Sequence, residues 1–189
     1  MKRLTRRGIG WLVIGMVAVL PTVLQAEGKK NRSPLQPRPE KPGEYLKREV
    51  GHQLRLLPYY TVFDNLEYKV NGYHVELDGQ VTNPTLKSDA GSVVKRIEGV
   101  TGVTNNIKVL PPSPADDHIR RTEYRAIYGQ ASLSHYALQA VPPIHIIVDG
   151  GHVTLVGVVA SESDKNLANI QAREVPGVFS VTNDLRVEK

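Results

Sequence analysis

The 189-residue chain contains no cysteine. This absence excludes disulfide bridges, zinc sites with thiolate ligands, cysteine nucleophiles and lipid attachment through cysteine. Apolar residues make up 40% of the chain and charged residues 23%. Such a composition is typical neither of a disordered chain nor of a protein with many membrane spans.

Acidic residues are absent from residues 1–26, which carry four basic residues before an uncharged run from Gly8 to Leu24. A positive start, an apolar centre and a small residue at the end predict a secretory signal peptide that is cleaved after Ala26. The alternative is an uncleaved anchor helix, for which an apolar run interrupted by Pro21 is short. With no cysteine to follow the signal, the chain is not predicted to be a lipoprotein.

The positive charge lies mostly near the N-terminus. Residues 27–42 hold five basic residues, two acidic residues and four prolines, and they are predicted to form a flexible basic linker. Residues 43–189 hold 15 basic and 17 acidic residues. The folded part therefore lacks the basic surface expected of a nucleic-acid-binding protein.

The chain contains an internal repeat. Residues 70–109 align with residues 148–187 at a constant offset of 78, and 15 of the 40 positions are identical. Two domains are predicted, at 43–110 and 115–189. The proline-rich linker 111–114 between them is short and semi-rigid, which allows a limited range of relative orientations.

Helix and strand signals occur in the same order in both copies. Asn83 before Pro84, Ser113 before Pro114, and Ser161 each predict the N-terminal cap of a helix. Alternating apolar residues on either side of each turn predict strands. Each copy is predicted to be an α-β-β-α-β module, in which two helices cover one face of a three-stranded mixed sheet, so the fold class is α+β. The first helix of the second copy is predicted to run to about Ala131.

Turn residues and glycines recur at equivalent positions. Asn71-Gly72 and Asp149-Gly150 are predicted to form the centres of type I′ hairpin turns. Glycines inside predicted strands suggest a bulge there, or the close approach of a helix backbone. The residues assigned such structural roles are Asn71, Gly72, Gly79, Gly99, Asp149, Gly150, Gly157 and Gly177.

This pattern resembles the BON family (bacterial OsmY and nodulation). The resemblance is carried by the segment Val148-Asp-Gly-Gly-His-Val-Thr-Leu-Val-Gly157 and by residues 175–187. The first copy repeats the motif at 70–79 and 97–109 and departs from it at Glu98, where the second copy has proline.

The resemblance implies a non-enzymatic periplasmic protein of the bacterial cell envelope. It implies contact with a phospholipid surface, in support of envelope integrity or an osmotic stress response, with no cofactor, metal or catalytic residue. The alternative is an adaptor that docks on an envelope protein, for which Val156 and Val158 on the wet face of their strand suggest an apolar patch. The oligomeric state is left open.

The best local candidate for membrane or partner contact is the first helix of the second copy. Arginines attract anionic headgroups, and tyrosines suit a membrane interface. Asp116 and Asp117, one turn earlier, weaken the positive field. The candidate residues are Arg120, Arg121, Tyr124, Arg125 and Tyr128. The competing interpretation is a solvated helix face whose tyrosines belong to the core.

Six histidines raise the question of a metal site. His74 and His152 follow the two predicted turns and lack further ligands at usable spacing. His145 alternates outward between two isoleucines. All three are predicted to be solvated side chains, and no nucleophile–base pair is present to suggest an enzyme.

Overall fold

The computed structural model describes residues 42–188. The predicted signal peptide lies outside the described residues, as does the basic linker up to residue 41. The described helices are α1 (Pro42–Arg55), α2 (Pro84–Lys95), α3 (Pro114–Tyr128), α4 (Glu162–Arg173) and a short 3-10 helix (Ser134–Leu138). The strands are β1 (Asn65–Asn71), β2 (His74–Val81), β3 (Gly102–Asn105), β4 (Lys108–Val109), β5 (Ile144–Asp149), β6 (His152–Val159) and β7 (Ser180–Val187).

The helices begin where their capping residues predict. The side chain of Asn83 accepts a hydrogen bond from the Thr85 N–H, and Ser113 and Ser161 accept from the N–H three residues later. Each cap satisfies a backbone donor that the first turn of a helix leaves unpaired. At its other end α3 stops at Tyr128, three residues before the predicted end, and Gly129 forms the C-terminal cap.

Both sheets have the predicted mixed topology. In the first module β2 pairs antiparallel with β1 and parallel with β3 and β4. In the second, β6 pairs antiparallel with β5 and parallel with β7. The two registers are equivalent, since Val75 lies opposite Val103 as Val153 lies opposite Val181. The α+β fold with two α-β-β-α-β modules is therefore confirmed.

Asn105 and Asn183 make the same pair of contacts in the two modules. The amide of Asn105 donates to the Lys87 carbonyl at 2.8 Å and accepts from the Ile107 N–H at 3.2 Å. Asn183 does the same with the Lys165 carbonyl and the Leu185 N–H. Each asparagine thus ties the third strand of its sheet to the helix packed over it.

The centres of the hairpin turns lie one residue later than predicted. Asn71 pairs with His74 and Asp149 pairs with His152, so the two-residue loops are Gly72-Tyr73 and Gly150-Gly151. Only Gly72 has a positive φ in the first loop, as a type II′ turn requires, whereas both glycines of the second loop have one, as in type I′.

The two strand glycines accommodate a neighbouring strand and not a helix. Gly79 and Gly157 have φ values of +117° and +134°. A side chain at Gly79 would overlap the carbonyl oxygen of Asn65, and one at Gly157 would overlap that of Pro143. Of the two predicted alternatives, the approach of a helix backbone is not what the structure shows, because the close contact comes from the chain beside each glycine's own strand, at Asn65 and Pro143.

Within the described residues, the two modules belong to one compact unit. The segment after α1 reaches into the second module, where Val62 is 7% exposed and packs in that module's core. The Ile146 N–H donates to the Val62 carbonyl at 2.8 Å, which covers the outer edge of β5. An ion pair of 2.6 Å between Lys108 and Asp149 also joins the modules. Their orientation is therefore set by packing as well as by the proline-rich linker.

Asp64 anchors this bridging segment. Its carboxylate is fully buried and accepts four hydrogen bonds of 2.7–3.0 Å. Two come from the N–H and hydroxyl of Thr61, and two from the same groups of Thr82 at the end of β2. One side chain thereby holds the segment that carries Val62 against the first sheet.

Candidate functional site

The residues predicted for membrane or partner contact do not form one exposed surface. Arg120 is 4% exposed, and its guanidinium donates to the Val148 carbonyl and to Asp117, each at 2.6 Å. Tyr128 is 6% exposed and donates to the Ile144 carbonyl at 2.6 Å. Both side chains point toward β5, so neither is available to a membrane or partner on the outer face of α3, and Tyr128 belongs to the core as the competing interpretation expects.

The outer face of α3 retains two of the predicted arginines. Arg121 and Arg125 are exposed and lie four residues apart, which places them on one side of the helix. Tyr124 is half-buried, with its ring 6.4 Å from Phe63 and 4.8 Å from Tyr128. The described structure thus leaves a small basic surface beside a partly buried aromatic cluster.

The two aspartates at the start of α3 are engaged elsewhere. Asp116 is 3% exposed and accepts from the N–H groups of Gly150 and Gly151 at 3.0 and 2.9 Å. Asp117 pairs with the buried guanidinium of Arg120. The sequence did not reveal either contact. Asp116 ties α3 to the β5–β6 hairpin, and Asp117 forms an ion pair with Arg120 on the same helix.

A cleft of about 630 Å³ lies between the outer faces of the two sheets, and sequence reasoning missed it. Its lining is largely polar and includes Glu67, Gln80, Thr154, Asp184 and Arg186. These residues come from four strands of both modules, so only the docking of the modules creates the cleft.

His145 lies at this junction and is not the solvated side chain that its alternation predicts. Its ring stacks on Tyr60 with centroids 5.5 Å apart. Burial lowers the pKa of His145 and raises the pKa of Tyr60 to about 12. Both rings are therefore uncharged near neutral pH and serve to pack the modules together.

The two equivalent histidines, His74 and His152, bind local hydroxyl groups. A ring nitrogen of His74 lies 2.8 Å from the Thr104 hydroxyl, and one of His152 lies 2.7 Å from the Ser180 hydroxyl. Within residues 42–188 no group of three or more histidine or acidic side chains is placed to hold a metal ion. No helix in that range is long and apolar enough to cross a membrane.

Glu123 is a residue that sequence reasoning did not single out. It is fully buried, and neither carboxylate oxygen has a hydrogen-bond partner within the described part of the chain. Its burial could have been predicted from the sequence. Glu123 lies four residues from both Ile119 and Ile127 and therefore on the apolar stripe of α3.

The model of the BON domain family matches residues 55–111 and 130–189. The chain belongs to the BON domain family. Each matched segment covers the strands and the second helix of one module and begins where its first helix ends, so each copy of the repeat contains a BON domain. Membership points to a family without catalytic activity.

One curated relative is osmotically-inducible protein Y of Escherichia coli (strain K12), 28% identical over 135 residues. The match covers 66% of this chain and 62% of the relative, so the chain spans less than two thirds of that protein's length. Among solved structures, the C-terminal domain of CdsD, the structural protein of the type III secretion system of Chlamydia trachomatis, is 14% identical. That match covers 76% of this chain and 98% of the other, but its TM-score of 0.28 supports no conclusion about the fold.

Proposed function

We propose that this tandem BON protein is exported to the periplasm and contacts anionic phospholipid surfaces there through the outer face of α3. The similarity to an osmotically inducible protein supports a role in the envelope under osmotic stress. The N-terminal sequence, with its basic start and apolar run, supports export.

The observation that carries the proposal is the charge on the outer face of α3. Within residues 42–188, Arg121 and Arg125 have no carboxylate partner, while the two acids of the preceding turn are bound to other groups. Each basic residue near an anionic surface contributes about 1 kcal/mol. Two such residues give weak binding, and the basic linker at 27–42 adds to it in the full chain.

A second candidate function is an adaptor for an envelope protein. Phe179, the residue before β7, is 79% exposed, and Val158 on the wet face of β6 is 38% exposed. Exposed aromatic side chains are typical anchors of protein interfaces. Val156, which the sequence placed in the same apolar patch, instead lines the cleft between the modules.

Reversing the charge of α3 distinguishes the two functions. The double variant Arg121→Glu/Arg125→Glu is expected to weaken binding to vesicles of anionic phospholipid by about tenfold or more, because two attractions become repulsions. Co-sedimentation of the chain without residues 1–26 at low salt measures the effect. Arg120 stays unchanged, because it is buried and its loss would disturb the fold.

The matched control is Lys95→Glu/Arg96→Glu, which makes the same charge change on exposed residues at the end of α2. This control is expected to bind vesicles nearly as the parent does. Equal loss of binding in both double variants would show that only net charge matters, and no vesicle binding by the parent chain would leave the adaptor as the function. Phe179→Ala is then the variant expected to lose an envelope partner.

A further inference from the structure

Glu123 occupies the centre of the buried face of α3. Its side chain is 0% exposed, and both carboxylate oxygens lack a hydrogen-bond partner among the described residues. A buried polar group without a partner is rare in a native protein and costs free energy. An ionised carboxylate at such a place costs considerably more.

The first module shows what the fold itself requires at this position. In both modules a glycine after the second helix lies next to the first helix, with a Cβ position at Gly99 3.7 Å from Leu46 and one at Gly177 3.7 Å from Ile119. Leu46 and Ile119 are therefore equivalent. Four residues further along each helix stand Val50 and Glu123, both fully buried. The fold accepts valine here, so the carboxyl group is not needed to build the module.

The orphaned polar groups are all in the second module. Within residues 42–188, the buried side-chain atoms without a partner belong to Arg120, Glu123, His145 and Asn169. The first module has none in that range. Buried side-chain polar atoms without a partner are thus a feature of the second module and not of the shared architecture.

No charged group stabilises an ionised Glu123. On α3 itself, the two terminal nitrogens of the Arg120 guanidinium donate to Asp117 and to the Val148 carbonyl, and its Nε makes no hydrogen bond to Glu123. Asp116 binds the amides of the β5–β6 hairpin. Tyr128 is bound to the Ile144 carbonyl.

The elements packed against α3 are β5, α4 and the 3-10 helix. Tyr136 of the 3-10 helix donates to Asp164 of α4 at 2.9 Å, His145 of β5 stacks on Tyr60, and Asp149 of β5 pairs with Lys108. The other charged groups of these elements, His135, Glu162, Lys165 and Arg173, do not act on the Glu123 carboxyl group, whose pKa responds to burial alone. Burial alone raises the pKa of Glu123, to about 8. The carboxyl group is therefore largely protonated in the folded protein at neutral pH.

We propose that Glu123 is a pH-sensitive switch whose ionisation loosens α3 from the second module while α1 stays packed on the first. The helix that carries Arg121 and Arg125 becomes more mobile as the pH rises. This property concerns α3 itself and holds whether or not the helix contacts a membrane.

The direction follows from the two protonation states. An opened α3 exposes Glu123 to water, where its pKa returns to the ordinary value of 4.5, while the closed state keeps the proton up to about pH 8. Between these values the open state binds fewer protons, so opening becomes easier as the pH rises. His145, whose pKa is lowered by burial from 6.5, acts in the opposite direction only below that value. The window from pH 6.5 to pH 8 therefore reports on Glu123.

Hydrogen exchange on the full chain tests the switch. Protection factors of the α3 amides are expected to fall by about tenfold between pH 6.5 and pH 8, as release of one proton on opening requires. In Glu123→Gln and Glu123→Val the same protection factors are expected to be independent of pH. The α1 amides serve as the internal reference and are expected to keep their protection.

The matched control is Glu174→Gln, an exposed carboxyl group at the end of α4, which is expected to behave as the parent chain does. An equal fall of protection in Glu123→Gln overturns the proposal, and so does a uniform loss over α1 and α3. If the variants do not fold, NMR titration of the Glu123 carboxyl carbon in the parent chain decides. A transition near pH 8 supports the switch, and one near 4.5 overturns it.

Discussion

Asp64→Ala is expected to lower the free energy of unfolding by about 3–5 kcal/mol, because it removes a fully buried carboxylate together with its four hydrogen bonds. The carboxylate accepts from the N–H and hydroxyl groups of both Thr61 and Thr82 at 2.7–3.0 Å. Its loss also frees the segment that places Val62 in the core of the second module. Urea denaturation followed by circular dichroism measures the change.

Two further variants serve as controls for the Asp64→Ala prediction. Asp64→Asn retains one acceptor oxygen, and its destabilisation is expected to fall between those of the parent chain and the alanine variant. Asp184→Ala removes an exposed carboxylate with no hydrogen-bond partner within residues 42–188 and is expected to change stability by about 0.5 kcal/mol or less. An Asp64→Ala protein as stable as Asp184→Ala would show that the four hydrogen bonds do not anchor the segment.

Gly157→Ala is expected to destabilise the protein by about 3–5 kcal/mol. The added Cβ would overlap the carbonyl oxygen of Pro143, and a backbone φ of +134° is itself unfavourable for alanine. The overlapping atom belongs to the backbone just before β5, so relief requires the strand to move. The midpoint of thermal unfolding is the measurement.

Gly150→Ala separates the two costs that act at Gly157. Gly150 has a φ of +60°, but no other atom lies within 4 Å of a Cβ at that position. Its substitution therefore carries only the conformational cost, about 1–2 kcal/mol. Equal effects at Gly150 and Gly157 would mean that the steric overlap with Pro143 is relieved without loss of stability. Gly79→Ala is expected to repeat the Gly157 result in the first module, where the overlap is with Asn65.

The elements that sequence reasoning predicted well depend on local chemistry. An asparagine or serine caps a helix by binding an N–H two or three residues away, so Asn83, Ser113 and Ser161 could be recognised without knowing the fold. Hairpin turns are equally local, but their register depends on which residues pair. That pairing moved the turn centres by one residue, to Gly72-Tyr73 and Gly150-Gly151.

The candidate site was harder to predict because its residues differ in their tertiary contacts, which the spacing along the helix does not show. Helical spacing puts Arg120, Arg121 and Arg125 on one α-helix, but only Arg120 meets a free strand carbonyl, that of Val148, 28 residues away. A guanidinium that finds such an acceptor is buried, whereas its neighbours stay in water. The pattern of charges could not reveal this contact.

The sequence by itself determined the family, the two modules and the order of their helices and strands, because these follow from periodicity, caps and a repeat that can be read along the chain. Only the tertiary structure decided how the modules dock, through Val62, Asp64 and His145. It also decided that Glu123 takes the place of Val50 in an apolar core. Those outcomes depend on contacts between residues far apart in sequence, whose burial and hydrogen bonding are settled only when the two sheets pack.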